Sequence, residues 1–358
     1  MAHNTTPFIT AYPWSGSGFG TKYADPATLP ADDGRSVAFS PDGANIAVAH
    51  LTTPNITAYP WSGSGFGTKY ADPATLPTGR GNDVAFSPDG ANIAVAHDST
   101  PFITAYPWSG SGFGTKYANP GFPPTGGGNS VAWSTVGNAI YQQYLAVAHD
   151  STPFITVYGL SANGFGTKYT NPGALPAGNG RSAAFSPDGA NIAVAHATTP
   201  FITAYPWSGN GFGTKYANPT AGNLPASTGN GVAFSPDGAN IAVTHANTPF
   251  ISVYPWSGSG FGTKYANPAS LPGGAGRSAA FSPDGATIAV ACASSPFILA
   301  YPWSGSGFGT KYANPASNPP NTCTGTAFTP NGVSLVMSHL SPPFVTAYPW
   351  SGSGFGTK

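Results

Sequence analysis

Short runs in which apolar and polar residues alternate recur along the whole chain. From residue 35, the run RSVAFS is followed by a turn at 41–43 (PDG) and by a second run, NIAVAH. Proline presets φ, aspartate hydrogen-bonds its own backbone and glycine accepts positive φ, so this turn favours a hairpin. Two further strands are predicted at about 55–60 and 66–70, joined by the Gly/Ser turn WSGSG. No segment shows a helical period with caps, and the pattern therefore predicts an all-β chain.

The pattern is a repeat with a period of about 47 residues. The string GFGTK occurs eight times, with its phenylalanine at Phe19, Phe66, Phe113, Phe165, Phe212, Phe261, Phe308 and Phe355. A period in the forties that is built from strands is typical of propeller blades, and small residues alternate with large ones as stacked blades require. We therefore expect residues 1–358 to form a single seven-bladed β-propeller of four-stranded antiparallel blades.

The strand copies leave one pair over, because the last two strands of the repeat occur eight times and the first two only seven times. An unpaired strand edge is a liability, so the extra pair needs a partner. We expect the N-terminal half-blade, residues 1–23, to close the ring as a Velcro strand pair and residues 343–358 to be surplus. A shared closing blade, an eight-bladed arrangement and a strand-swapped dimer are alternatives to this monomer.

Charge is scarce. Only 7% of the residues are charged, with 12 Lys plus Arg against 12 Asp and no Glu. A neutral chain lacks the counterion-release drive toward nucleic acid, and no basic amphipathic stretch suggests membrane-surface binding. No apolar run is long enough for a bilayer, and the N-terminal MAHNTTPFIT has no secretory features. We expect neither nucleic-acid binding nor membrane insertion, and the compartment stays open.

The phrases VAFSPDGANIAVAH (84–97) and PFITAYPW resemble WD40-like and YVTN-type propeller repeats. AYPWSGSGFGTKY is also similar to repeats of highly repetitive propellers encoded by tailed phages and bacteria. The resemblance covers nearly the whole chain and implies the fold, whereas this architecture hosts many activities. The Gly-His and Trp-Asp dipeptides of WD40 blades are absent, and Pro-Trp stands at the end of the third strand instead.

Sequence variation is concentrated in the loops that one face of a propeller would carry. These loops follow the fourth and second strands and differ between copies, as in 28–36, 75–83 and 122–130, whereas the SPDG and WSGSG turns hardly change. Variable loops on a rigid scaffold are typical of a binding surface, and drift without purpose is the alternative. The candidate ligand-binding residues on this face are Arg35, Arg80, Arg181, Arg277, Asp32, Asp33, Asp98, Asp150, His50, His97, His149, His196, His245 and His339.

The second strands end in histidine six times and in Cys292 once. Imidazole and thiolate are common metal ligands, but symmetric blades spread these residues around a ring. We therefore expect each histidine to hydrogen-bond its surroundings, and we predict no metal and no cofactor. Cys292 and Cys323 fall in adjacent blades on the same face, which makes a disulfide between them a hypothesis. The repeated Pro-Trp tryptophans are expected to pack between blades.

No catalytic residue is predicted. The SPDG aspartates are turn residues, and neither a poised pair of carboxylates nor a nucleophile elbow is evident. We expect a non-enzymatic binding or adhesion scaffold that recognises a glycan or a protein surface. One alternative is a lactonase-like, metal-dependent hydrolase with its metal in the axial channel. The other is a recently amplified or designed repeat without a dedicated ligand.

Overall fold

The computed structural model describes residues 2–12, 22–62, 65–135, 137, 143–329, 332–341 and 345–356. Over these residues the chain forms 22 strands in seven antiparallel sheets and no helix. Accordingly, the described part of the chain contains no helix of the length and hydrophobicity that a membrane span needs. We number the sheets as blades 1–7 in chain order.

The first of two compact units holds blades 1–3. Blades 1 and 2 each have three strands, and blade 3 has four. Their strands are β1 (Gly34–Phe39), β2 (Asn45–His50), β3 (Ile56–Pro60), β4 (Gly81–Phe86), β5 (Asn92–His97), β6 (Ile103–Pro107), β7 (Gly128–Trp133), β8 (Gln143–His149), β9 (Ile155–Ser161) and β10 (Gly164–Lys168).

The second unit holds blades 4–7, which have three strands each. Residues Trp207–Gly213, which follow the third strand of blade 4, belong to the first unit instead. The strands are β11 (Gly180–Phe185), β12 (Asn191–His196), β13 (Ile202–Pro206), β14 (Gly229–Phe234), β15 (Asn240–His245), β16 (Ile251–Pro255), β17 (Gly276–Phe281), β18 (Thr287–Cys292), β19 (Ile298–Pro302), β20 (Cys323–Phe328), β21 (Ser334–His339) and β22 (Val345–Pro349).

The middle strand of each blade forms the core. All six residues of β2 are buried, whereas β1 beside it is only half-buried. Between blades 1 and 2, small alanines such as Ala47 and Ala58 meet the large side chains of Phe86 and Ile93. The predicted alternation of small and large residues therefore packs neighbouring sheets against each other in this unit.

The fourth strand depends on the residues that end the third. In blade 3, Gly159 and Leu160 replace Pro-Trp, and β9 runs on to pair with β10. In blade 2, Pro107 stands at that point, and the pairing shrinks to the bridge between Trp108 and Phe113. Proline has no N–H to donate, so it ends a ladder where glycine allows it to continue.

The Pro-Trp tryptophans pack between blades, which confirms the prediction for the residues described. Trp108 is 6% exposed. Its ring meets Tyr70, Phe86 and Phe113 edge-on, with centroid separations of 5.4, 5.2 and 5.2 Å. Such edge-to-face pairs stabilise beyond the burial of area alone. Trp14 lies outside the described residues.

Both chain ends form parts of the repeat. At the C-terminus, β22 pairs with β21 in the register of the other blades, so the described part of 343–358 contains a regular third strand. That residues 343–358 are surplus to the ring stays a prediction. At the N-terminus, Ala2 bridges Ile9, and the Gly34 amide donates to the His3 carbonyl at 2.8 Å. The use of residues 1–23 in ring closure stays a prediction.

Candidate binding surface on the rim loops

Each blade joins two loops at one end, and we call this pair its rim unit. The entry loop precedes the first strand, and the second loop turns from the second strand to the third. In blade 1 the Leu51 amide donates to the Asp33 carbonyl at 3.2 Å, and in blade 3 the Asp150 amide donates to Gly127 at 3.1 Å. The same bond recurs in blades 4–7 from Ala197 to Asn179, Ala246 to Thr228, Ala293 to Ala275 and Leu340 to Thr322. The two variable loops of a blade therefore form one surface.

The second loop has one backbone shape in all the described copies. In blade 2 the Phe102 amide donates to the Ser99 carbonyl at 2.6 Å, and the His97 amide donates to the Phe102 carbonyl at 3.0 Å. The Thr100–Pro101 peptide is cis, and Phe102 has a φ of 67°. A non-glycine residue in this left-handed region is disfavoured by about 1–2 kcal/mol. The surrounding hydrogen bonds thus hold a preorganised turn.

Side chains tie the rim further in the first unit. Thr78 Oγ1 donates to the Thr100 carbonyl at 2.6 Å. Asn55 Nδ2 donates to the Pro77 carbonyl of the next blade at 3.0 Å. Loops held in this way present their exposed side chains on a fixed frame, which lowers the entropic cost of binding.

Arg80 and Asp98 meet on the rim of blade 2. The Arg80 amide donates to Asp98 Oδ1 at 2.9 Å, and the guanidinium Nε donates to Oδ2 at 2.6 Å. Partial burial opposes ionisation of Asp98, but the hydrogen bonds from Arg80 outweigh it and lower the pKa of the carboxyl. Asp98 is therefore a carboxylate at neutral pH.

A second acidic residue, Asp150 of blade 3, lies close to the backbone of Asp98. Asp150 is exposed, and its Oδ1 accepts a hydrogen bond from Asn129 Nδ2 at 2.8 Å. A methyl group placed on Gly127 would lie 3.1 Å from Asp150 Oδ2 and 3.6 Å from the Asp98 Cα. The two acidic residues therefore flank one glycine across the boundary between blades 2 and 3.

Phe122 precedes Gly127 in the same entry loop and was missed by the sequence analysis. It lies in the entry loop of blade 3 and is 72% exposed, the largest exposed fraction among the described large apolar side chains. Its carbonyl accepts a hydrogen bond from Tyr158 Oη at 2.8 Å, as the Thr75 carbonyl does from Tyr106 in blade 2. The signal was present in the sequence, because an aromatic residue stands where the preceding copy has threonine.

The remaining charged candidates belong to blades 1, 4 and 6. Asp32 Oδ1 accepts a hydrogen bond from the Asp33 amide at 2.8 Å, which makes this pair a local turn in blade 1. Arg35, Arg181 and Arg277 are exposed at the second residue of the first strand in blades 1, 4 and 6. Each occupies the same position in its own blade.

The histidines are structural clamps inside the blades. In blade 4, His196 is fully buried, and its Nε2 lies 2.9 Å from Thr203 Oγ1 on the third strand. The same pairing joins His50 to Thr57, His97 to Thr104, His149 to Thr156, His245 to Ser252 and His339 to Thr346. Desolvation lowers the pKa of His50, His97, His149, His196 and His245 to about 4. In this structure these rings are enclosed, and a ligand on the rim would not touch them.

Blade 6 replaces the clamp by an apolar pair. Cys292 stands where the other blades have histidine, and Leu299 takes the place of the partner hydroxyl. Both cysteines are free and buried, so the disulfide hypothesis is wrong for this structure. The Cys292 thiol instead donates to the Ser294 carbonyl at 3.3 Å. Burial raises the pKa of Cys292 and of Cys323, which keeps both as thiols.

Asp83 is a second residue that the sequence analysis did not single out. Its Oδ1 accepts from Ser36 Oγ at 2.7 Å, and its Oδ2 accepts from the Val131 amide at 2.9 Å. One carboxyl group thereby links β1, β4 and β7. Desolvation raises its pKa in spite of these donors. Asp83 thus joins the first strands of three neighbouring blades. Other copies of the repeat have serine at this position, as at Ser36, and the sequence therefore gave no hint of this role. Over the described residues, no three His, Cys, Asp or Glu side chains form a metal-binding group.

Comparisons with known proteins identify the fold. No family model matches the sequence, and the comparison with curated proteins likewise gives no match. A chain of Kuenenia stuttgartiensis hydrazine synthase is similar in structure, with a TM-score of 0.64 at 12% identity over 93% of this chain and 99% of that one. A chain of the mitotic checkpoint complex gives a TM-score of 0.63 at 13% identity over 88% and 86%. With its seven repeated antiparallel sheets, the chain has the fold of a WD40-like, seven-bladed β-propeller repeat protein.

Proposed function

We propose that the chain is a non-enzymatic binding scaffold that holds a protein partner on the rim units of blades 1–3. The observation that carries the proposal is the approach of two acidic residues, Asp98 and Asp150, to the same glycine, Gly127. Arg80 pairs with Asp98, and Asp150 is exposed at the neighbouring position of blade 3. A lysine or arginine side chain of a partner fits this charge and could form charge-assisted hydrogen bonds to it.

Phe122 supplies the apolar part of the proposed contact. Its ring is 72% exposed and lies on the entry loop that leads to Gly127. Aromatic anchors beside charged groups are the side chains that dominate the energy of protein interfaces. The preorganised loops favour such a contact, because little backbone freedom remains to be lost on binding.

The rim units of blades 4–6 lack this chemistry. Where blades 2 and 3 have Asp98 and Asp150, they carry Ala197, Ala246 and Ala293. At the position of Phe122, their entry loops have Ala174, Asn223 and Ser270. The proposal therefore assigns recognition to the first unit and a structural role to the same loops in these three blades of the second.

The absence of an enzymatic role is part of the proposal, and two observations support it. Six histidines are used as clamps within blades, as described above. The SPDG aspartates are used in turns: Ser40 Oγ and the Ala44 amide donate to Asp42 Oδ1 at 2.5 and 3.0 Å. The side chains that a hydrolase would need are thus engaged in holding the fold.

The test is binding of the wild-type chain to arrays of basic peptides, acidic peptides and glycans. The D98N/D150N variant removes both charges and keeps an acceptor oxygen at each site, and F122T restores the residue of blade 2. We expect binding to basic peptides, weakened about tenfold by either variant. The matched control, D42N/D188N, makes the same charge change in two SPDG turns and should bind normally. Binding to glycans alone, or basic-peptide binding that survives both rim variants, would overturn the proposal.

A further inference from the structure

The first strand of blade 1 is more exposed at its end than its counterparts in other blades. Phe39 is 50% exposed, whereas the equivalent Phe86 and Phe281 are 8% and 9% exposed. Trp61 meets the Phe39 ring edge-on, with centroids 5.8 Å apart, and is half-buried. The other Pro-Trp tryptophans that the structure describes are buried, at 108, 207, 256, 303 and 350. We call Phe39 and Trp61 the open face of blade 1.

At internal boundaries the preceding blade covers this position. Phe86 of blade 2 lies in one apolar cluster with Ala47 of blade 1, and Ala38 of β1 packs against the same cluster. Phe281 of blade 6 likewise lies in one cluster with Ala242 of blade 5. Ala47 and Ala242 are each the third residue of a second strand. The first two strands of a blade therefore form the surface on which the next blade packs.

Residues 2–12 supply only part of such a blade beside blade 1. The His3 amide donates to the Phe8 carbonyl at 3.0 Å, and the Tyr23 amide donates to the Ala11 carbonyl at 3.0 Å. The same bonds recur at the equivalent positions of blade 1, so these residues form the end of a second strand and a third strand. Residues 2–12 contain no counterpart of the covering alanines or of a first strand, which accounts for the open face of blade 1.

Blade 7 carries the complementary surface, which is also partly uncovered. The second strands of blades 1–6 are buried at every residue, whereas β21 is only half-buried at Val336 and Ser338. Val336 is the third residue of β21 and thus the counterpart of Ala47. Ala327, its partner in β20, is exposed, whereas the equivalent alanines of the other six blades are half-buried. We call Val336 and Ala327 the open face of blade 7.

The two open faces are of the kinds that meet at every internal boundary, and each stays partly uncovered in the chain. We propose that the first two strands of blade 7 in one copy pack on the open face of blade 1 in a second copy, with Val336 against Phe39. Apolar side chains on the two faces lose their contact with water on association, which favours the contact. Because two different faces meet, the association is head-to-tail.

The contact requires one exchange of strands, because residues 2–12 already stand where residues 338–348 of the incoming copy would lie. The two segments match: each has His at its second residue, Pro-Phe at its sixth and seventh, and Thr-Ala-Tyr at its end. Residues 2–12 of one copy therefore replace 338–348 of the other in the same register, and the ladder lost with β22 is regained. Exchange of near-identical elements is a low-cost route to association.

The internal boundaries show which positions meet across the proposed contact. Ser36 Oγ donates to Asp83 Oδ1 of the next blade at 2.7 Å. A methyl group on Gly231 would lie 3.7 Å from the Cα of Ser278, its counterpart in the next blade. The corresponding pair at the proposed contact is Gly325 of one copy and Ser36 of the other. Cysteines at these two positions should be close enough to form a disulfide.

The test mixes two full-length variants that carry one added cysteine each, G325C and S36C, under mild oxidation. We expect a disulfide-linked pair of chains, in which peptide mass spectrometry places the bond between the two added cysteines. S278C is the matched control, because residue 278 has the same position within an internal boundary, and it should not crosslink to G325C. The inference is overturned if G325C and S36C do not crosslink, or if the bond forms only when both cysteines are in one chain.

Sedimentation of the wild-type chain gives a second readout that needs no added cysteine. We expect the measured mass to rise above that of a single chain as the concentration increases. F39D changes a side chain that is already half exposed, so the fold should be kept, and it should weaken association about tenfold. The rim variants F122T and D98N/D150N should leave association unchanged, which separates this result from the proposed function. A chain that stays single at every concentration, or an F39D variant that associates as the wild type does, would contradict the inference.

Discussion

The rim units of blades 2 and 4 have the same backbone and different chemistry. Both turns pass through a cis proline into a phenylalanine with positive φ, 67° at Phe102 and 69° at Phe201. Blade 2 carries the Arg80–Asp98 ion pair on this frame. Blade 4 has Asn179 and Ala197 at the same two positions. The repeat thus preserves the hydrogen bonds of the frame, while the side chains at the loop tips differ between blades.

The histidine clamp is common to both units, and its removal by acid is the largest effect we expect. A histidine with a folded pKa of about 4, against 6.5 in the unfolded chain, stays neutral when folded and takes up a proton when unfolded. Its stabilisation is full above pH 6.5 and is lost as the pH falls toward 4, by up to about 3 kcal/mol for each histidine. The five clamps with this pKa should therefore make Tm fall steeply between pH 6.5 and 4.

Blade 6 supplies the variant that sharpens this prediction. H196C/T203L copies its Cys292–Leu299 pair into blade 4. The melting temperature of this variant, measured by circular dichroism across the same pH range, should fall less steeply than that of the wild type. A wild-type Tm that is equal at pH 7 and pH 4.5 would contradict the clamp.

Asp98 gives the next largest effect, because it connects the two loops of blade 2 by its side chain. D98A removes the acceptor for both the Arg80 amide and its guanidinium. We expect the free energy of unfolding to fall by about 1 kcal/mol, since the site is partly exposed. Urea denaturation measures this loss. R80A, which keeps the amide bond, should cost less than D98A, and equal losses would show that the ion pair alone matters.

The hydrogen bond of Thr78 has a smaller expected effect on stability, and it can be tested by removing the hydroxyl from blade 2 and by adding it to blade 4. Its hydroxyl donates to the Thr100 carbonyl, and blade 4 has Ala177 at the equivalent position. T78A should destabilise the protein by about 0.5 kcal/mol, and A177T should stabilise it by a similar amount. Denaturant midpoints of the two variants that shift in the same direction would mean that the two rim frames are not equivalent.

The smallest effect concerns the cysteines, for which we expect no change at all. Cys292 and Cys323 are both buried thiols of raised pKa, so they should be unreactive toward a thiol reagent until the chain unfolds. Mass spectrometry of a non-reduced sample should show two free thiols. A reductant that lowered Tm would instead reveal a disulfide.

The repeat, the strands and the SPDG turns could be predicted because they depend on local chemistry. The PDG turn and the alternation of NIAVAH determine a hairpin wherever they occur. The loss of the fourth strand in most blades was harder to see in the sequence. It is explained by proline at the end of the third strand, as at Pro107, where blade 3 has Gly159 and keeps its fourth strand. Which chain end closes the ring stays a prediction, because near-identical copies such as residues 9–13 and 345–349 cannot be ranked by sequence pattern.

The candidate site was only partly predictable for a related reason. Asp98 and Arg80 are 18 residues apart and lie in one blade, so the fold alone brings them together. Asp98 and Asp150 meet across a blade boundary, where the small size of Gly127 determines the approach. Such spacing is set by packing, and no local pattern reports it.

Amide hydrogen exchange, measured with and without a basic peptide selected from the array, would locate the recognition surface. If the rim of blades 1–3 is the recognition surface, protection should appear at residues 78–80, 98–102 and 125–129. The equivalent loops of blades 4 and 5, at 177–179 and 226–228, should exchange as before. Protection confined to those loops, or to the SPDG turns, would contradict the account.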